Sequence, residues 1–298
     1  MNVVLCNRDP RAHIGGDAVQ VYGYIKALKK LGHDAEYIWA LDFNASRFDE
    51  AWLFHATFGW TVRQWRSVQN AGIPYRVFTI YYPGIYSDNN HVTTYEILKG
   101  AKAVYSLSNK EDREFHEEFP DIKTIIIDNG VDKDIFRPDG FKREEGKVLS
   151  VGRYGEGKGQ LSVINACIKL NLPVLTIGSV GESDYMSKCF AMDNGNNVRC
   201  LGGLKNEEMP DYYRGAKVYV CASSDERNNL TVLEAAACGS TVIDTIYNRA
   251  AADHFFKIID PKKSEELEAA ILEAWNNPIS HVDKIKSWDD IIRNILET

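Results

Sequence analysis

Short runs of Val, Ile and Leu recur along this chain, each followed by a longer stretch of helical period, and the whole alternation is played through twice. Strands that read as near-continuous apolar runs must be covered on both faces, and helices between them supply the cover, so the pattern demands parallel sheets wrapped by helices. In the first half VVLC, AEYIWA, AWLFHA, YRVFTI, AVYSLS and KTIIID have strand character. Residues 17–31 place Ala18, Val21, Ile25, Leu28 and Leu31 on one helical face and end at Gly32, a suitable stop. The second half restarts with VLSVG, a helix carrying Leu161, Ile164 and Ile168, and then PVLTIG, VRCLGG, KVYVCAS, STVIDT and FKIID. Between the two series, residues 137–147 (RPDGFKREEGK) gather Pro, Gly and charge, as a domain linker does. The expectation is an α/β protein of two Rossmann-like domains, residues 1–142 and 143–280. A closing segment, residues 281–298, follows, whose helix sets Trp288, Ile291, Ile292 and Ile295 on one face.

A chain of 298 residues can build two cores of ordinary size. Its net charge of −7, with 17 basic and 19 acidic residues in the first 142, excludes the basic surplus of a general nucleic-acid binder. The six cysteines form no Cys-x-x-Cys or Cys/His cluster, which predicts reduced, buried thiols. The opening MNVVLC has no charged leader, and no 18-residue apolar stretch occurs. These features predict a cytoplasmic protein that touches a membrane at most peripherally, at its inner face.

Two segments carry chemistry. In SSDERNNLTVLEAAACG, Glu226 and Glu234 bracket the passage from a polar loop to an Ala-rich helix. Asn228 or Asn229 can cap that helix, so Leu230 and Thr231 fall in a first turn whose free N–H groups suit phosphate oxygens. Glu234, one turn on, can accept hydrogen bonds from a ribose diol. A first-turn glutamate also simply suits a helix dipole, and it is the second carboxylate, Glu226, that favours a ligand with hydroxyls at both ends and phosphates between. In VGRYGEGKGQL, Arg153 and Lys158 share a Gly-rich turn from strand to helix, where two cations can neutralise a diphosphate as a bond to it breaks; the same turn also suits a plain solvated loop.

Taken in order, these segments resemble the retaining glycosyltransferases of the GT-B fold, particularly glycosyltransferase family 4. The E-x7-E signature is met by Glu226 and Glu234, the EAxAxG run by residues 234–239, and the R-x4-K pair by Arg153 and Lys158. NGVDKDIF (129–136), the GGDAVQVYGYIKALKKLGHDA stretch and the closing KSWDDIIRNIL also match. The resemblance implies two Rossmann-like domains facing a cleft, with the last helix crossing back to the first domain. It implies a nucleotide-diphosphate sugar as donor, a UDP-sugar before a GDP-sugar, with no other cofactor and no metal. Arg153 and Lys158 would hold the diphosphate, the amides of Asn229, Leu230 and Thr231 would cradle its oxygens, and Glu234 would take the ribose. Glu226 would contact the donor sugar, Gly15 and Gly16 would approach the phosphates, and Leu204 would lie near the base. The acceptor would be a glycan, a lipid-linked sugar or another carbohydrate.

Three departures mark this chain. Asn228 and Asn229 stand where a glycine turn is usual, Tyr81 stands where many members carry histidine, and the first domain is short. His55, ending AWLFHA, is the nearest polar substitute for that histidine, although a histidine in an apolar strand also suits a core. His33 reads as structural and His91 as a loop residue. Trp60, Arg63, Trp65 and Arg66 could form an acceptor or headgroup surface, with core packing the plainer reading. The Asp-x-Asp of 132–134 falls inside the NGVD turn rather than in a metal site. A GT-B hydrolase or epimerase, and a non-catalytic nucleotide-sugar or glycan-binding module, are the rival functions.

Overall fold

The structure is a computed structural model, and it describes residues 1–11, 15–84, 91–254 and 256–298. The chain forms two compact units, one of Met1–Gly130 together with Lys286–Thr298 and the other of Val131–Ile285. Each holds a six-stranded sheet in which every pairing is parallel. The doubled alternation of the sequence is therefore two α/β layers of Rossmann type.

In the first unit the strands are β1 (Asn2–Cys6), β2 (Asp34–Ile38), β3 (Glu50–Phe54), β4 (Tyr75–Phe78), β5 (Ala103–Ser106) and β6 (Ile125–Ile126). They lie in the order β2-β1-β3-β4-β5-β6. The helices are α1 (Gly16–Lys30), α2 (Gly59–Ala71), α3 (His91–Gly100) and α4 (Asn109–Glu118). The KTIIID run yields only the two-residue β6, whose isoleucines stay half exposed at the sheet edge.

Alternation along the central strands sorts their side chains to two faces. Ala51, Leu53, Val77 and Val104 join the core that also takes Val62, Trp65 and Phe115 from α2 and α4. Trp52, Phe54, Phe78 and Tyr105 turn to the other face, where their rings interlock with Tyr24 of α1. Arg76 shares that second face and is 1% exposed. Its Nε donates to Glu50 Oε1 at 2.5 Å and its Nη1 to the Tyr105 hydroxyl at 2.6 Å and to Thr298 Oγ1 at 2.8 Å.

The last helix, α10 (Trp288–Leu296), belongs to this unit. Ser287 and Asp290 form a capping box at its start, and Trp288, Ile291, Ile292 and Ile295 are buried. Its Trp288 packs where Gly23 leaves room: a Cβ on Gly23 would lie 2.5 Å from Trp288 Nε1.

The second unit contains β7 (Lys147–Val151), β8 (Val174–Ile177), β9 (Val198–Leu201), β10 (Ala216–Val220), β11 (Thr241–Thr245) and β12 (Lys257–Ile259). Their order is β12-β11-β10-β7-β8-β9. Helices α5 (Gln160–Lys169), α6 (Ser183–Phe190), α7 (Met209–Gly215), α8 (Leu230–Ala237) and α9 (Ser264–Asn276) cover it. The change of unit falls ahead of the Pro- and charge-rich stretch 137–147, because Val131 and Phe136 pack into the core with Leu149, Tyr213 and Tyr219.

All six cysteines are buried and free. Among the described residues, no helix is long and apolar enough to cross a membrane. Trp65 lies inside the first core and donates to the Tyr75 hydroxyl at 3.1 Å, so the exposed surface imagined for residues 60–66 loses its central aromatic. Arg63, which is exposed, pairs instead with Asp42.

Candidate active site

In the second sheet the strand order reverses direction between β7 and β10, and such a switch point opens a crevice outside the carboxyl ends of the two strands. The loop after β7 carries Arg153 and Lys158, and the loop after β10 carries Glu226 and then Asn229. Both sequence-marked segments thus leave the sheet on either side of one crevice.

Glycines make the approach of these loops close. A Cβ on Gly159, which has φ +69°, would sit 2.4 Å from the carbonyl oxygen of Ala222, and one on Gly178 would sit 1.8 Å from that of Gly152. The Gly157 carbonyl accepts from the Ser224 amide at 2.8 Å, stapling the two loops together. Across that staple the Lys158 ammonium donates to Glu226 Oε1. Their side chains are 30% and 15% exposed. The Glu226 backbone is held on both sides, its amide donating to the Tyr247 carbonyl and its carbonyl accepting from the Arg249 amide, each at 3.0 Å. Arg153 is exposed and has no carboxylate partner among the described residues.

Of the two asparagines offered as caps, Asn229 takes the position. Its Oδ1 accepts from the Thr231 amide at 3.0 Å and the Thr231 hydroxyl at 2.8 Å. Thr231 Oγ1 also meets the Tyr219 hydroxyl at 2.5 Å. Leu230 opens α8 and is buried. Glu234 lies one turn on, 7% exposed, and its Oε2 accepts from the Tyr213 hydroxyl at 2.9 Å. Burial disfavours its charge and pushes the carboxyl up from 4.5 to about 7, with the Tyr213 hydrogen bond opposing the rise. The carboxyl is held ready at the edge of its own titration. Leu204 lies half-buried against the second unit's core.

The 132–134 segment is a turn, in which Asp132 Oδ1 accepts from the Asp134 amide at 3.2 Å. Among the described residues, no group of three or more His, Cys, Asp or Glu side chains could hold a metal ion.

In the first unit Tyr81, at the position where many members carry histidine, lies in the core. Its ring is 1% exposed and packs on Phe115, and its hydroxyl meets Glu118. The cause lies one residue earlier, where Ile80 has φ +39° and turns the chain as it leaves β4. His91 starts α3 and stacks on Phe119 at 4.8 Å, while residues 85–90, which precede it in the sequence, lie outside the described residues. His33 accepts or shares the Met1 amino proton at 3.2 Å, a structural contact.

His55 is different. It follows β3 with φ +65° and contacts Asp17 through its ring. Gly15 is the N-cap of α1, and a Cβ there would lie 2.5 Å from Arg8 Nη2 and 2.7 Å from Asp17 Oδ1. Its smallness admits the Arg8–Asp17 pair. Gly16 is exposed at the first helical position. Neither Asp17, Arg8 nor Tyr213 was marked by any spacing in the sequence; they are found only because the sheets bring distant loops together.

Two parallel α/β sheets, the second with a glycine-lined switch point, set the fold class, and comparison with known proteins adds the family. Residues 131–292, more than half of the chain, match the family "Glycosyl transferases group 1", and the chain belongs to it. The chain is 26% identical over 185 residues to an uncharacterised glycosyltransferase of Methanocaldococcus jannaschii, covering 54% of this chain and 47% of that one. It is 29% identical over 163 residues to a phosphatidyl-myo-inositol mannosyltransferase of Mycobacterium tuberculosis, covering 50% and 42%. It therefore spans about half the length of the curated relatives it matches. A sucrose-phosphate synthase from Thermosynechococcus elongatus has the same fold, with a TM-score of 0.79 at 16% identity over 99% of this chain and 97% of that one. The chain has the GT-B fold and belongs to the group 1 glycosyl transferase family.

Proposed function

We propose that this protein transfers a hexose from a nucleotide-diphosphate sugar to a carbohydrate-bearing acceptor with retention of configuration. The observation that carries the reading is the Lys158–Glu226 pair, held across the β7/β10 switch point by the Gly157–Ser224 staple, with Glu234 one turn inside α8. A sugar-binding carboxylate, a cation for the diphosphate and a ribose-binding carboxylate answer the three parts of the donor.

On this reading the diphosphate enters between Arg153 and Lys158 and draws the ammonium away from Glu226. The freed carboxylate accepts hydrogen bonds from the donor sugar. The amides of Leu230 and Thr231 receive phosphate oxygens, where the start of α8 favours negative charge. Glu234 takes the ribose, and Leu204 borders the base. Gly15 and Gly16 form the close-fitting turn of the first unit.

In the transfer itself the bond from the anomeric carbon to phosphate oxygen breaks while the acceptor oxygen bonds to the same face. The acceptor proton passes to the departing diphosphate, so the step needs no separate base. Two cations, Arg153 and Lys158, balance the charge developing on the leaving group, in place of a divalent ion. A UDP-sugar is the first donor to try and a GDP-sugar the second. The mannosyltransferase relative, whose name gives a lipid acceptor, adds inositol-bearing lipids to the acceptor panel.

The test is release of nucleotide from UDP-, GDP- and ADP-sugars with a panel of sugar acceptors, with and without EDTA, followed by proton NMR of the anomeric position in the product. Retention with EDTA-insensitive release supports the reading. An inverted product, or donor binding with no transfer to any acceptor, overturns it, the latter in favour of a binding module.

A further inference from the structure

The first sheet has its own switch point, between β1 and β3, and the loops leaving the carboxyl ends of those strands part there. The loop after β1 supplies Asn7 and Arg8, the first turn of α1 supplies Asp17, and the loop after β3 begins with His55. Arg8 grips Asp17 with two hydrogen bonds, Nε to Oδ2 at 2.7 Å and Nη2 to Oδ1 at 2.6 Å. Asn7 Nδ2 donates to Oδ2 at 3.1 Å, and His55 Nε2 lies 3.2 Å from the same oxygen.

Burial opposes the Asp17 charge, but the hydrogen bonds from Arg8 and His55 and the charge of the Arg8 guanidinium hold the carboxyl well below its usual range. Asp17 is ionised, and an ionised carboxylate only accepts. The proton at this contact is therefore on His55 Nε2, and in the neutral imidazole that tautomer has its lone pair on Nδ1. His55 is 6% exposed, and Nδ1 has no partner among the described residues.

The backbone is arranged to present this ring. A left-handed histidine costs about 1–3 kcal/mol, and such strain persists where the surroundings enforce it. Here the Thr61 hydroxyl donates to the carbonyls of His55 at 2.6 Å and Phe54 at 2.9 Å, while the His55 amide donates to the Phe78 carbonyl at 3.0 Å. Around the imidazole stand Phe58 at 5.4 Å, Trp60 at 5.9 Å and Tyr82 at 6.4 Å between ring centroids, all three half-buried. Two more buried polar atoms of this stretch, Thr57 Oγ1 and Trp60 Nε1, lack partners among the described residues. Aromatic faces beside one acceptor, one donor and one hydroxyl complement a pyranose, with its C–H faces and ring of hydroxyls.

We propose that this cluster is a pyranose subsite in which His55 Nδ1 accepts the hydrogen bond of an acceptor hydroxyl, and in which Asp17, clamped by Arg8, is the positioning residue that fixes the His55 tautomer. Only the word acceptor rests on the transferase reading. The subsite itself follows from the fold of the first unit.

Two measurements decide it. In nitrogen-15 histidine NMR, with His55 assigned by its loss in His55→Gly, the neutral ring should be protonated on Nε2 in the wild type and should populate the Nδ1-protonated form in Asp17→Asn. Glycine suits φ +65°, so His55→Gly removes the ring without straining the backbone. Titration with methyl α-glucopyranoside or methyl α-mannopyranoside should move the Nδ1 resonance. A wild-type ring protonated on Nδ1, or one indifferent to both sugars, overturns the subsite even if the protein is a transferase. In transfer assays, Asp17→Asn and His55→Gly should each lower kcat/KM for the acceptor about 10- to 100-fold, as for loss of a charge-supported hydrogen bond, with nucleotide affinity unchanged. Free imidazole should restore transfer to His55→Gly but not to the His55→Gly, Asp17→Asn double variant. Equal rescue of both, or undiminished transfer by Asp17→Asn, refutes the positioning role. Absence of transfer by the wild type counts against the proposed function alone, since the tautomer and sugar titrations stand without it.

Discussion

Replacing Glu234 by Gln should make the donor-free protein more stable at pH 8 and a poorer nucleotide binder at that same pH. The carboxyl is buried beside the fully buried Tyr213, and its pKa rises from 4.5 to about 7 on folding. Between those values the unfolded chain has released its proton while the folded one keeps it. Wild-type stability from this group is thus intact below pH 4.5 and is lost as pH climbs toward 7. At 1.36 kcal/mol per pH unit the loss amounts to about 3 kcal/mol. Glutamine keeps the shape and can accept the Tyr213 hydrogen bond through its carbonyl, but has no proton to lose. The variant and wild type should therefore unfold alike in guanidinium at pH 4.5–5 and diverge at pH 8, with Glu234→Gln ahead by about 3 kcal/mol in the transition of the second unit. Calorimetry at pH 8 should show UDP or GDP bound about 10- to 100-fold more weakly, the cost of a charged hydrogen bond to ribose. A stability difference that is the same at both pH values, or that favours the wild type at pH 8, refutes the reasoning.

Lys158→Ala should leave nucleotide-sugar binding within about tenfold while cutting transfer more than about 100-fold, because the lost cation acts on charge that grows in the transition state; kcat and Kd measured on one preparation separate the two. Gly159→Ala, whose Cβ would collide with the Ala222 carbonyl at a left-handed position, should cost at least about 2 kcal/mol in thermal or chemical unfolding and impair donor binding as the two loops part. Arg76→Met should destabilise the first unit by about 3 kcal/mol by taking from the buried Glu50 carboxylate its nearest cation and leaving it Trp52 Nε1 at 2.7 Å and the Lys102 ammonium at 3.7 Å, and adding Glu50→Leu should recover much of the loss; a double variant as unstable as the single one would show that the pair holds more than itself together.

The strand and helix layout was legible because apolar runs keep their period through each element. The start of α8 was legible too, since Asn229, Thr231 and Glu234 lie within one helix start, and local spacing records that. What could not be read was pairing across distance. Lys158 and Glu226 are 68 residues apart, and His55 and Asp17 are 38 apart. Nothing in either neighbourhood names its partner, and only the strand order brings the loops together. Tyr81 and His55 illustrate a second obstacle. Alternation predicts which face a strand residue takes only while the chain stays extended, and Ile80 and His55 both leave that region with positive φ. Tyr81, at the position where histidine is usual, was thus turned into the core, and His55, offered as the polar substitute although a strand histidine also suits a core, keeps an Nδ1 without a partner among the described residues.

The split of the first unit along the chain also sets an order on its making. A ribosome delivers Val131–Ile285 whole before it delivers Trp288, Ile291, Ile292 and Ile295, on which the first unit closes. Residues 1–130 must wait, with the seat beside Gly23 uncovered and Arg76 lacking its Thr298 contact, while a complete second unit emerges behind them. The part made first is the part finished last, so a chain arrested after Ile285 should carry a protease-resistant second unit joined to a protease-sensitive first one.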